Sequence, residues 1–145
     1  MSPWGHLAAA LPLAGGLYLA SGSALVATAA GASSVLVDVD HVADYLWLTK
    51  GCFRIKGFFR DYRKHRTTKL VLVLHSWELA FLALISAWLW PAPAWLWFAV
   101  GGWIFHLVCD QIFNRVGFPF YFLSYRFLKG FERSRLPCPQ GESQP

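Results

Sequence analysis

The sequence predicts an all-α integral membrane protein, a bundle of about four transmembrane helices with amphipathic segments at the interface. Three observations lead there. Hydrophobic residues make up 56% of the 145 residues and charged residues only 14%, against roughly 45–50% and 25% in typical soluble chains. All thirteen Lys and Arg fall in two blocks, Lys50 to Lys69 and Arg115 to Arg135, so residues 1–49 and 70–114 carry none. Eight Trp, twelve Phe and five Tyr exceed what a small water-soluble core needs. Long apolar stretches separated by basic segments follow the positive-inside rule and put both blocks on the cytoplasmic side. The net charge of +5 therefore reads as topology and lipid attraction. No recognition fold surrounds either block, so no nucleic-acid partner is expected.

Taken in order, residues 3–37 hold no charged side chain and are interrupted by Ser21-Gly22-Ser23. A cleaved signal peptide, one long span over residues 11–37, and a tight hairpin of helices at 4–20 and 24–46 all suit this stretch. The missing basic start argues against the signal peptide. The hairpin is preferred, because Ala, Gly and Ser let two helices approach closely. Residues 50–69 interleave Phe53, Phe58, Phe59 and Tyr62 with basic residues, a pattern for an anionic membrane surface. Leu70–Trp90 reads as the clearest transmembrane helix, 21 residues without Pro or Gly. Trp88–Trp97, with Pro91 and Pro93, reads as a turn in an aromatic belt at the opposite interface. A helix returns from Ala94 to about Asn114. Over Phe118–Phe131, aromatic residues with Arg126 and Lys129 suggest an interfacial helix begun near Pro119. Residues 1–135 form the membrane domain, and the polar, Pro-rich stretch 136–145 reads as a disordered tail. Cys52, Cys109 and Cys138 are too scattered for a CxxC site or a disulfide framework and read as unpaired thiols.

Ionisable groups within apolar spans are costly and mark functional sites. Here they recur at four places: His6; Asp38, Asp40 and His41; His75 and Glu78; His106 and Asp110. With the hairpin topology, all four helices place these groups at the same, cytoplasmic, depth. Asp38 and His41 are i,i+3, as are His75 and Glu78, and His106 and Asp110 are i,i+4, so each pair shares a helix face. Asp40 points away from Asp38 in a regular helix, so either the helix frays there or Asp40 acts elsewhere. Asp44 reads as a surface residue pairing with the basic loop, and His65 as solvated. The carboxylates have no Lys or Arg in their spans, and a divalent metal is the natural compensating cation. Carboxyls that are protonated, hydrogen-bonded to His, or exposed at the membrane surface are the alternative. Histidine and carboxylate pairs on facing helices are an established way to build a metal site in a bundle. The expected ligands are His6, Asp38, Asp40, His41, His75, His106 and Asp110. Mixed His and carboxylate ligation suits Zn²⁺, with Mn²⁺ or Fe²⁺ compatible. Glu78 is the candidate general base.

At these residues the chain resembles the YdjM-like family of inner-membrane metal-dependent hydrolases. That family shows a Pro-Asp-x-Asp-His motif, a His-Arg-Gly-x-Thr-His-Ser segment and a later His-x-x-x-Asp in an apolar helix. The counterparts here are Asp38-Val39-Asp40-His41, then Leu74-His75-Ser76, then His106-Leu107-Val108-Cys109-Asp110. His6 matches a histidine often found before the family's first apolar segment. Val37 stands where the family has Pro, and His65-Arg66 lies ten residues before His75-Ser76 rather than nearly contiguous with it. The resemblance implies a bacterial inner-membrane protein and a metal-dependent hydrolase. The site's depth adds an amphiphilic substrate, such as a lipid phosphoester, and membrane lipids as partners. Two rival expectations stand beside the enzyme: an ion- or proton-handling transport component, and a non-catalytic scaffold with a structural metal.

Overall fold

Helices packed through small residues set the architecture of the computed structural model, which describes residues 3–63, 67–114 and 116–137. Every named element among them is helical: α1 (Pro3–Ser21), α2 (Ala24–Leu36), α3 (Val39–Leu48), α4 (Ile55–Arg63), α5 (Trp77–Leu89), α6 (Ala94–Phe113) and α7 (Leu123–Leu128). Short 3₁₀ turns at Phe118–Tyr121 and Arg133–Arg135 complete the set. The single β-bridge, Lys69 with Glu132, lies outside any strand.

Gly22 ends α1 with φ of 66°, a left-handed conformation that glycine adopts without a Cβ penalty. Ser23 then caps α2, its hydroxyl accepting from the Val26 amide at 3.3 Å. The chain reverses within two residues, so α1 and α2 form the expected hairpin. α2 lies between α1 and α6. A Cβ added at Gly31 would come within 3.0 Å of Ala14, and one added at Gly102 of α6 would overlap the Ala30 carbonyl. Ser33 donates to the Ala99 carbonyl at 2.6 Å across the same seam. Backbones this close need small residues at the contact.

The buried positions of these helices include Ala10, Ala27, Ala30, Ala80 and Ala87, while Leu11, Leu19, Leu25, Phe81, Leu82 and Ile85 face outward. Two helical stretches, Ala24–Leu48 and Ala94–Phe113, are long and apolar enough to cross a membrane. α5 is apolar but has only 13 residues, about 20 Å at 1.5 Å per residue. At the far end Trp88 meets Trp97 edge to face at 6.3 Å, and Trp88, Trp90 and Trp95 are exposed.

The expected helix over Leu70–Trp90 is corrected at its start. Residues 70–76 are irregular, and the helix begins only after Ser76, which accepts from the Leu79 amide. The competing force is a set of buried charges that binds this segment's backbone. α3 presents Asp40 and Asp44 on one face at i,i+4. Asp44 accepts from the Val71 and Leu72 amides at 2.8 and 3.3 Å, and Asp40 from the Leu74 and His75 amides. From the other side the Arg126 guanidinium donates to the carbonyls of Leu72, His75 and Phe120 at 2.7–3.0 Å. Trp103 donates to the Leu74 carbonyl at 2.6 Å. Charge-assisted bonds are about twice as strong as neutral ones, and these satisfy the groups that an α-helix would otherwise pair. Leu72, held at φ 47°, is part of that local cost.

Two further expectations change with this network. Asp44 is buried, not a surface partner of the basic loop, and Arg126, expected on an interfacial helix, is fully buried. Burial pushes the Arg126 pKa down to about 10, which leaves it charged at neutral pH. The segment pairs with the chain's C-terminal part, Leu70 N–H donating to the Phe131 carbonyl and Arg133 N–H to the Thr68 carbonyl, both at 2.9 Å. Leu70, Leu72, Ala80, Leu107, Phe120, Tyr121 and Leu136 close a hydrophobic core beneath it. Leu136 therefore belongs to the fold rather than to a tail, and Gly117 N–H donates to the Pro137 carbonyl at 2.8 Å. Residues 138–145 and His65 lie outside the described residues.

Candidate metal centre

Four separate pieces of backbone bring the ionisable groups together. α1 supplies His6 near its start. The α2–α3 junction supplies Asp38 and His41, where the chain turns at Val37-Asp38 through tight i,i+3 bonds of 3.1–3.2 Å. The irregular 70–76 segment supplies His75, and the last turns of α6 supply His106 and Asp110. His6, His75, His106 and Asp110 are 1–3% exposed. By proximity the donors form two groups able to hold a metal ion, His6–His106–Asp110 and Asp38–His41–His75, with ligand atoms within 4.8 Å in each.

Ring orientation gives a finer division. His6 and His106 are stacked, 3.9 Å apart and 16° from parallel. A nitrogen lone pair lies in its ring plane, so two stacked imidazoles cannot both aim at one ion. His75 and His106 cross at 78°, and their Nε2 atoms face each other at 3.2 Å. Around them, Asp110 Oδ2 lies 3.6 and 3.7 Å from the two nitrogens, and Asp38 Oδ1 lies 3.8 Å from both. Ligand atoms on a tetrahedral ion with bonds of about 2.0–2.2 Å stand roughly 3.3–3.6 Å apart. The distances linking His75 and His106 to each other and to Asp38 and Asp110, 3.2–3.8 Å, bracket that spacing.

Protons strengthen the match. His106 Nδ1 lies 2.7 Å from the Ser34 carbonyl, which can only accept, so the ring's proton is on Nδ1 and its Nε2 carries a lone pair. His75 Nδ1 faces Asp40 Oδ2 at 3.4 Å, so it too carries a proton. The two Nε2 atoms then face each other at 3.2 Å, and either a proton shared between the rings or a metal cation satisfies both. With a shared proton, Asp110 and Asp38 would have only that charge and the neighbouring His6 and His41, 2.9 and 3.8 Å away, to balance them. A divalent ion would balance Asp38 and Asp110 in full.

The sequence-derived ligand set therefore divides by role. His75, His106, Asp38 and Asp110 form the candidate inner set. Asp40, expected as a ligand, is instead the carboxylate behind His75, the common outer partner of a metal-binding histidine. His6 stands behind Asp110, its Nε2 2.9 Å from Oδ1. His41 Nε2 lies 3.8 Å from Asp38 Oδ1, on the more open side, where both side chains are 17–18% exposed. Glu78 is a correction. It does not share a face with His75, because His75 precedes the helix. Its carboxylate instead accepts from the amides of Leu123 at 2.5 Å and Ser124 at 3.0 Å and from the hydroxyls of Ser76 and Ser124. These are the open donors at the start of α7, and they occupy the oxygens a general base would need.

Asp44, Arg126 and the Ser34 carbonyl position the cluster's backbone and His106, which sequence reasoning missed. A signal existed for Asp44, which is i,i+4 from Asp40. No sequence signal marks a particular backbone carbonyl.

No protein-family model, curated protein or solved structure matches the chain. Fold and site define its class: an all-helical protein with two stretches able to cross a membrane and a buried His/Asp cluster able to hold a metal.

Proposed function

We propose that this chain is an integral membrane, metal-dependent hydrolase. In this reading α1, α2 with α3, α5 and α6 form a four-helix membrane bundle, with the metal centre at the cytoplasmic leaflet. The substrate is amphiphilic, with a lipid phosphoester the leading class. The observation that carries the reading is the pair of His Nε2 atoms facing each other at 3.2 Å between two carboxylates. Burial of small residues with large apolar residues outward supports the membrane setting, because lipid solvates the outer face. The two runs without Lys or Arg support a cytoplasmic site.

A divalent ion in this centre would supply Lewis-acid polarisation and water activation. The chain's own residues do the rest. Asp38, Asp110, His75 and His106 bind, and the Ser34 carbonyl and Asp40 hold the two imidazoles in one tautomer. His6 orients Asp110. Asp38 and His41 border the accessible side, where a head group can enter, while the buried His106 and Asp110 exclude water behind it. α4 packs against α3 through Tyr45, which meets Phe53 and Phe58 edge-on at 5.9 and 5.4 Å. Arg54, just before α4, and Lys56 within it are exposed and stand ready to attract an anionic head group.

A second reading, a scaffold with a structural metal, draws on the same four donors, because four protein ligands close a tetrahedral zinc site. Six-coordinate Mn²⁺ or Fe²⁺ would leave two positions open. Transport is disfavoured, since residues 79–105 contain no ionisable side chain to continue a polar path.

Elemental analysis of the purified protein, with turnover assays on phosphoester lipids, tests the proposal. The native protein should carry a divalent metal, and His106→Ala or Asp110→Ala should release most of it. Full retention in His106→Ala would remove that residue from the centre. Absence of metal-dependent hydrolysis across a broad phosphoester screen would overturn the enzyme and leave the scaffold.

A further inference from the structure

Each inner residue but one has an outer partner on its second polar atom. His106 Nδ1 has the Ser34 carbonyl and His75 Nδ1 has Asp40, and Asp110 Oδ1 has His6 Nε2 at 2.9 Å, a close contact without hydrogen-bond alignment. Asp38 is the exception: its Oδ2 is buried and makes no hydrogen bond among the described residues. A buried carboxylate oxygen left without a donor is expensive. Close by is an imidazole that the four-donor centre does not use, His41, with Nε2 3.8 Å from the other oxygen of the same carboxylate. Its ring lies 4.8 Å from that of His75 and is tilted by 58° rather than stacked. The proximity group Asp38, His41 and His75 shares His75 with the four-donor centre, so Asp38 and His41 are the donors left over on this edge. This is also the more open edge of the cluster, with Asp38 and His41 side chains 17% and 18% exposed against 0–4% for His75, His106 and Asp110.

We propose that Asp38 bridges two divalent ions, one in the His75–His106–Asp110 centre and a second on the Asp38 Oδ2 and His41 edge. This rests on the hydrolase reading's metal centre and adds to it a second ion and a charge preference. One ion neutralises Asp38 and Asp110, so a second leaves the site positive. With few protein donors of its own, the second ion has positions left for an anionic ligand. Paired ions roughly 3.5–4 Å apart are a recurring device for clamping phosphoryl oxygens. The edge therefore selects a phosphoester over a neutral carboxylic ester.

Mn²⁺ titration of the whole protein in nanodiscs tests this, with bound metal counted after dialysis and the ions read by electron paramagnetic resonance. Two ions per chain are expected at saturation, the second bound at least tenfold more weakly, with the signature of spin-coupled Mn²⁺. His41→Ala and His41→Gln should reduce uptake to one uncoupled ion while the first ion's affinity stays within about threefold. Inorganic phosphate should tighten the second ion about tenfold or more in the native protein and leave the first unchanged. Uptake of one ion by the native protein, or two coupled ions in both His41 variants, would overturn the second site. No effect of phosphate would overturn its anion preference. Uptake of no ion at all would sink the hydrolase reading's metal centre, and is distinguishable from these outcomes by stoichiometry alone.

Discussion

At the scale of single residues, two acidic side chains exchange the roles their spacing suggests. Asp40 sits in the motif as a ligand but stands behind His75, also receiving backbone amides from residues 74 and 75. Losing such an outer partner typically weakens metal affinity 10–100-fold. Asp40→Asn should therefore weaken metal binding by about that factor while helical content is retained. Asp44→Asn, which disturbs the same segment without touching His75, should weaken it less. Equal affinities in the Asp40 variant and the native protein would remove Asp40 from the centre. Glu78, the candidate general base, instead has a structural place at the start of α7. Glu78→Gln replaces one accepting oxygen with a donor facing other donors. Thermal stability should fall by about 1–3 kcal/mol, with metal content and turnover close to native. A 10²–10⁴-fold loss of turnover at full metal content would instead restore the general base.

At the scale of elements, the α2–α6 seam and the 70–76 segment position the site. Gly102 lets α6 meet the Ala30 backbone, and Ser34, on the same helix as Ala30, is the residue whose carbonyl orients His106. Gly102→Ala should push the helices apart and destabilise the protein by about 1–3 kcal/mol. Gly101→Ala, with nothing within 4 Å of its new Cβ, should be neutral or stabilising by up to about 1 kcal/mol. Paired thermal melts in one detergent check this, and equal effects at the two positions would mean the seam is not tight. The 70–76 segment shows why an apolar run is not always a helix. Seven residues are held open by two carboxylates, a guanidinium and an indole from three other elements, and His75 is delivered by that opened backbone.

At the scale of the whole molecule, the proposed function depends on which side of a membrane the cluster would face. With Cys109 and Cys138 replaced by Ala, the exposed Cys52 should react with an impermeant thiol reagent only from the cytoplasmic side. Ala94→Cys, added with Cys52 also replaced, should react only from the other side. Labelling of Cys52 from outside would invert the orientation and separate the basic block from cytoplasmic lipids.

Composition, the confinement of Lys and Arg to two blocks, and the Ser21-Gly22-Ser23 break were enough to make the chain helical and to place the α1–α2 turn. They also singled out His6, Asp38, His41, His75, His106 and Asp110, because a charged or imidazole group in an apolar run is conspicuous wherever the chain takes it. Those are properties of local sequence, and they are legible one segment at a time. The division of the cluster into holders and supporters was not. It depends on ring planes, on the second polar atom of each side chain, and on backbone groups such as the Ser34 carbonyl. The unwinding of residues 70–76 and the burial of Arg126 were likewise decided only in three dimensions. Charges from residues 40, 44 and 126, distant in sequence from much of what they bind, outcompete local helix propensity once packing removes them from water.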